Sequence, residues 1–296
     1  MVAVVSEPEA DTIPAVRLTY SRFFLSGNPF RIIKNADVKL AVNATQYTGT
    51  FSDSAYVFPC ILREGDSLML TVRMQNGGED TVVTASTRVP YRPNVTVKET
   101  IGTSFHFTVN DCAGESNFYR MSFKVIDTAY YYFDSEGNYV DADDPAVVQC
   151  DTVVESWWSM FGCSDAALTS NASSTIDISI DGEELFGELL FTDELFDGQN
   201  RDITVKLSSY NEQYSYEKSV KRKASKQSPN QVYVLYLESL SKETYLYELS
   251  RYKQNNEDVF MTEPVQIQSN IKNGIGIFGA KATRVVTLGT QSTTDN

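Results

Sequence analysis

Residues 67–72 read Ser67-Leu68-Met69-Leu70-Thr71-Val72, with Leu68, Leu70 and Val72 on one side of an extended chain and Ser67, Met69 and Thr71 on the other. Alternation at period two marks a strand that buries one face and leaves the other wet. Turn residues bracket it, Arg63-Glu64-Gly65-Asp66 before and Asn76-Gly77-Gly78 after. The same alternation returns in Val38-Lys39-Leu40-Ala41-Val42 and in Asp202-Ile203-Thr204-Val205-Lys206-Leu207. Short strands of this kind, rich in Thr, Val, Tyr and Phe, predict antiparallel sandwiches, because each strand offers one apolar face. The expected fold class is all-β.

The chain has 296 residues, more than one hydrophobic core usually serves at roughly 100–200 residues per domain. The strand Thr81 to Arg88 runs into Val89-Pro90-Tyr91-Arg92-Pro93, whose prolines cannot donate to a ladder and stiffen an extended linker. The expected boundary lies there. Residues 1–91 form an immunoglobulin- or transthyretin-like sandwich in this reading, and residues 94–296 a larger one. The second opens with strands near Val95 to Lys98 and Ser104 to Val109, crosses an acidic loop from Asp134 to Asp144, and resumes after Thr175. One segment departs from period two: Ser241 can cap a helix near 241–254 whose Tyr245, Leu246, Leu249 and Tyr252 share a face, with Asn255-Asn256 near its end.

Hydrophobic residues make up 42% and aromatics 12% of the chain, enough for folded cores. Lys and Arg total 25 against 39 Asp and Glu, a formal charge of −14. Phosphate backbones are repelled by such a surface, so nucleic acid is not an expected partner. The local exception, Lys218 to Lys226, lacks interleaved aromatics and reads as a solvated hairpin end. No apolar run approaches the ~18 residues of a membrane helix. No charged and apolar leader opens the chain, and any signal or anchor is expected to have been removed.

Reactive constellations are sparse, and neither an enzyme nor a cofactor is expected. Gly274-Ile275-Gly276-Ile277-Phe278-Gly279 spells a dinucleotide-like glycine pattern, yet Ala282 to Leu288 behind it reads as a strand rather than the helix that such a site needs. A bulge or tight sheet packing accounts better for these glycines. His106 is the only histidine; it alternates with Phe105 and Phe107, which excludes histidine-rich metal sites. Acidic runs at Asp181-Gly182-Glu183-Glu184 and Asp193-Glu194 leave paired-carboxylate hydrolysis formally open. The loop Asp134 to Asp144 offers oxygen ligands around Gly137 but lacks the EF-hand order, and an ordinary solvated loop is the plainer reading.

Trp157-Trp158-Ser159-Met160-Phe161 holds both tryptophans of the chain. Trp157, Trp158 and Phe161 are the candidate binding residues, since clustered aromatics suit stacking or docking onto a partner. The plainer alternative is satellite core that caps the sandwich.

The stretch from Leu237 to Ala280 resembles the C-terminal signature of the Bacteroidota lipoprotein family known as domain of unknown function 4249. The resemblance rests on the helix after Ser241, the step Glu263-Pro264-Val265, and Ser269-Asn270-Ile271 leading into Asn273 to Gly279. It extends to Asp111 through Arg120 (DCAGESNFYR), to Phe196-Asp197-Gly198 and to Val16-Arg17-Leu18-Thr19. Cys112 departs from it, standing where a proline is expected, as does the insert from Cys150 to Cys163. The resemblance implies a lipid-anchored protein of the outer membrane, periplasmic or exposed at the cell surface, and often encoded beside TonB-dependent receptors. It implies no activity. The leading expectation is an accessory binding component of such a transport system; a structural or adhesin-like subunit of a surface assembly is the alternative.

Export would put Cys60, Cys112, Cys150 and Cys163 in an oxidising compartment, where three pairings are open. Cys150 with Cys163 is the expected bridge, closing a loop around the tryptophans; Cys60 and Cys112 either pair or remain thiols. Asp followed by Ser or Thr and a small apolar residue recurs at Thr12, Ser54, Ser67, Thr81, Thr128 and Thr152. These steps look like O-glycosylation acceptors of periplasmic proteins from the same phylum, although turn-to-strand junctions favour such pairs as well.

Overall fold

The computed structural model describes residues 1–21, 29–76, 79–169, 173–176, 184–208, 230–256 and 266–291. Gly77-Gly78, Asp181-Gly182-Glu183, Lys218 to Lys226 and Glu263-Pro264-Val265 lie outside them. The fold is all-β sandwich. Strand β7 (Ser67–Asn76) contains the decisive stretch: Leu68, Leu70, Val72 and Met74 are buried and Met69 is exposed, as the alternation requires. It pairs with β8 (Glu79–Arg88) on one side and β3 (Asp37–Val42) on the other, and β4 (Thr45–Thr48) completes a four-stranded sheet.

The facing sheet has five strands. Four come from the N-terminal region: β1 (Val2–Ser6), β2 (Ala15–Tyr20), β5 (Thr50–Ser52) and β6 (Ala55–Val57). The fifth comes from near the other end of the chain, because β19 (Ile275–Phe278) adds in parallel to β1 with Val4 opposite Gly276. Ile271, Phe278, Ala280 and Ala282 join Val4, Leu18, Leu40 and Leu70 in the first core. A partition by position in sequence, 1–91 against 94–296, is therefore crossed by the packing. Parallel pairing needs a long connection, and here that connection carries every strand of the second unit except β20 (Lys281–Gln291), which follows β19.

The second unit is built on an eleven-stranded sheet. Its path begins with β20 (Lys281–Gln291), β18 (Asn230–Leu240) and β11 (Phe118–Phe133), and continues through β16 (Leu185–Thr192) and β14 (Phe161–Cys163). It ends with β17 (Asn200–Leu207), β10 (Ser104–Asn110) and β9 (Asn94–Ile101). Three strands lie off that path: β12 (Tyr139–Val140), β13 (Gln149–Ser159) and β15 (Ser173–Ile176). The sheet curls on itself, since Thr100 Oγ1 of β9 donates to the Leu288 carbonyl of β20 at 2.6 Å. Phe105, Phe107, Phe123, Phe161 and Leu235 fill the interior.

Helix α1 (Ala166–Thr169) is a single turn, while α2 (Lys242–Asn256) is the expected amphipathic helix. Ser241 Oγ caps it by accepting from the Thr244 amide at 3.3 Å. Tyr245 and Tyr252 bury against Leu190 and Leu240. The linker is tied rather than loose: Arg92 donates through Nη1 to Glu64 at 2.9 Å, through Nη2 to Asp11 at 2.7 Å and through Nε to the Thr283 carbonyl at 3.1 Å. Thr87 Oγ1 adds a bond of 2.9 Å to Glu243 of α2.

Candidate functional site

The tryptophans stand on a strand. β13 runs antiparallel to β11 with Trp157 opposite Val125 and Trp158 opposite Lys124. Adjacent strand residues face opposite ways, so the pair is split: Trp157 packs half-buried on the second core, and Trp158 remains 57% exposed on the outer face. The Trp158 ring meets Tyr236 edge-on at 5.1 Å, and Lys124 Nζ lies 5.7 Å from its centroid. Phe161 is fully buried on β14, with Phe123 at 4.7 Å and Phe186 at 6.0 Å between centroids. Of the three residues singled out from the sequence, Trp158 alone presents most of its surface.

Beyond Val125 and Trp157, the outermost core residues on their strands, β11 and β13 continue as an arm that is two-stranded among the described residues, Ala129 to Phe133 against Gln149 to Val153. β12 folds against its tip, and Tyr139 contacts Phe133 at 4.7 Å and Tyr131 at 6.0 Å. Val148 and Val154 are 65% and 64% exposed. Val125 to Asp165 contains nine acidic residues and no Lys, Arg or His, a run legible in the sequence that the expectations above did not use. The arm is thus aromatic and uniformly anionic. In its acidic loop Asp134 accepts from the Glu136 and Asn138 amides and from Asn138 Nδ2. These bonds, the Asn138 side chain first, hold its carboxyl below the ordinary range despite some desolvation.

A second polar cluster was missed as a unit. The ligand oxygens of Asp111, Asp193 and Asp197 lie within 4.8 Å of one another. Asn117 bridges Asp111 and Asp193, its Nδ2 donating to Asp111 at 3.1 Å and Asp193 at 3.0 Å and its amide to Asp193 at 2.9 Å. Tyr119 Oη and the Gly198 amide donate to Asp111, and the Gly114 amide to Asp197. Burial pushes the Asp193 carboxyl above its ordinary value, against the pull of the Asn117 bonds. Three oxygens so placed could hold a hard cation, yet each carboxylate already accepts N–H or O–H bonds, and the arrangement acts as a clasp between two loops. It joins Asp111 to Arg120 with Phe196-Asp197-Gly198, two of the segments to which the resemblance extends.

The model of a family described as a domain of unknown function, DUF4249, matches residues 2–233 and 230–285. The chain belongs to this family. No curated protein matches the DUF4249 chain. Among solved structures, a two-domain fibronectin type III segment of chicken tenascin is 9% identical, with 80% of this chain and 88% of that one covered and a TM-score of 0.20. Chitinase ChiA74 from Bacillus thuringiensis is 7% identical over 69% of this chain and 26% of that one, with a TM-score of 0.19.

The DUF4249 glycine run has no phosphate-site geometry. Gly276 sits at φ 109° in β19, and a Cβ on it would lie 2.0 Å from the Val4 carbonyl oxygen. Tight sheet packing accounts for it. His106 lies on β10, its Nδ1 3.0 Å from Thr204 Oγ1.

The expected Cys150–Cys163 bridge is not formed; all four cysteines are free thiols. The reason is the strand itself. Extended backbone advances about 3.3 Å per residue, so β13 carries Cys150 about 30 Å from Ser159, whereas a disulfide needs Cα atoms under about 7 Å apart. Of the DUF4249 chain's six Asp-Ser/Thr steps, Thr12, Ser67 and Thr152 are exposed, and Ser54, Thr81 and Thr128 are partly buried.

Proposed function

We propose that this protein is a non-enzymatic lipoprotein of the cell envelope, anchored at the outer membrane, that serves as an accessory binding component of a TonB-dependent transport system. Location and partner class come from the resemblance to Bacteroidota lipoproteins. The observation that carries the binding role is Trp158, broadly exposed on a sheet face beside an anionic aromatic arm. Exposed aromatics on a rigid strand are the kind of anchor that protein interfaces use. The arm's charge adds steering toward a cationic rim, which gives partner choice more than affinity.

Co-purification from native membranes, followed by mass spectrometry, tests the reading. A β-barrel receptor should be enriched with the native chain and depleted with Trp158→Ala. Failure to enrich any barrel protein, or enrichment indifferent to Trp158, would sink it.

A further inference from the structure

A cleft of about 760 Å³ opens where the two units meet, between β7 and β8, the linker, the loop before β11 and the start of α2. That volume lies in the range of small-ligand sites, roughly 300–1,000 Å³. Among the described residues its charges cancel: Arg88 and Lys242 stand against Glu115 and Glu243, in a chain whose formal charge is −14. Two of the four are also engaged, Glu243 by Thr87 Oγ1 at 2.9 Å and Arg88 through Nε to the Gly65 carbonyl at 3.2 Å. A formally charged ligand would find no net counter-charge. The rest of the described lining is mainly hydroxyl and apolar surface, with Ser67, Ser86 and Ser116 set among Leu68, Met69 and Leu240, and with the amides of Asn43 and Asn117 already donating to Asp66 and to Asp111 and Asp193.

Tyr91 stands at the mouth with 54% of its surface exposed, yet it is held in place. Pro90 and Pro93 flank it closely and limit backbone motion. The Arg88 guanidinium lies 5.7 Å from the ring centroid. Gly65, at φ 84°, presses so near that a Cβ there would come within 2.8 Å of the phenol oxygen. A wet aromatic ring fixed before any ligand arrives is a stacking platform that costs little ordering.

From the neutral balance, the hydroxyl-rich walls and the preset ring, we infer that the cleft binds a neutral saccharide, whose C–H face stacks on Tyr91 and whose hydroxyls bond the serines. The inference deepens the binding role proposed above by giving the ligand its class, and it rests on that reading. The test is an array carrying neutral oligosaccharides together with uncharged unstructured peptides, probed with the full chain. Capture of an oligosaccharide class is expected, falling about tenfold in Tyr91→Ala, the scale of one lost stacking contact. Ser86→Trp, which fills the cleft from an exposed strand position, should abolish capture, and Ile101→Ala on distant β9 should leave it intact. Peptide capture in place of sugar, no capture at all, or capture unmoved by both cleft variants would overturn the assignment. Barrel co-purification, read on the same native protein, separates the two proposals: retained co-purification with no glycan capture removes the saccharide and leaves the docking role standing.

Discussion

Val4 and Gly276 lie opposite each other across a parallel strand pair, so close that position 276 has no room for a side chain. The obstruction is backbone, which cannot swing aside, and φ 109° is itself a glycine conformation. Gly276→Ala should destabilise the protein by more than about 2 kcal/mol, through strain and a forced strand shift. Urea unfolding should show the fall in midpoint; an unchanged midpoint would mean that β19 does not sit against β1.

Glu238 is the acidic centre of a largely buried triad with Arg120 and with Lys281 Nζ at 2.5 Å. Burial alone would raise its carboxyl, but the charges and hydrogen bonds of Arg120 and Lys281 prevail and hold it below its ordinary value. A depressed acid stabilises the fold above its unfolded value and loses that contribution as pH falls through the folded one. Glu238→Gln should therefore cost about 3 kcal/mol near neutrality, the scale of a broken buried pair. The gap to the native protein should close on acidification. Chemical denaturation at several pH values reads both, and a gap independent of pH would refute the account.

Trp158→Ala and Phe161→Ala should part company. Phe161 is fully buried in the second core, and its truncation should cost about 4 kcal/mol. Trp158 is mainly exposed, so its removal should change stability by about 0.5 kcal/mol while reducing receptor co-purification. Thermal unfolding and pull-down on both variants give the contrast.

Thiol labelling should divide the cysteines in two. Cys112 and Cys150 are exposed and should react quickly with iodoacetamide at mildly alkaline pH. Cys60 and Cys163 are partly covered, and burial pushes both thiols up, which lowers the reactive thiolate fraction. Intact mass over time should show two fast additions and two slow ones. A native mass lower by one hydrogen pair would instead reveal a bridge.

Strand periodicity was legible because it is local. Leu68, Leu70 and Val72 declare their face within a few residues, and the cap at Ser241 announces α2 just as locally. The binding aromatics were legible only in part: Trp157 and Trp158 are adjacent, but their opposite fates follow from strand alternation, which the loop reading set aside. A loop closed by Cys150 and Cys163 and the extended run of β13 between them exclude each other, and cysteine spacing alone favours the loop. The clasp of Asp111, Asp193 and Asp197 and the β1–β19 pair were hidden for a different reason. Both join residues far apart in the chain, and period-two patterning carries no information about which strands meet.

The placement of β19 also sets an order of events for the ribosome. Domains emerging from synthesis usually fold N-terminal first, but here the opening sandwich lacks a strand and several core side chains until Ile271 to Ala282 have been made. A nascent chain halted before Ile271 leaves the β1 edge without its partner, an invitation to pair with a neighbouring molecule. Completion of the opening sandwich thus waits on residues made after the second unit's β18, and a chain cut before Ile271 would fail in its opening sandwich.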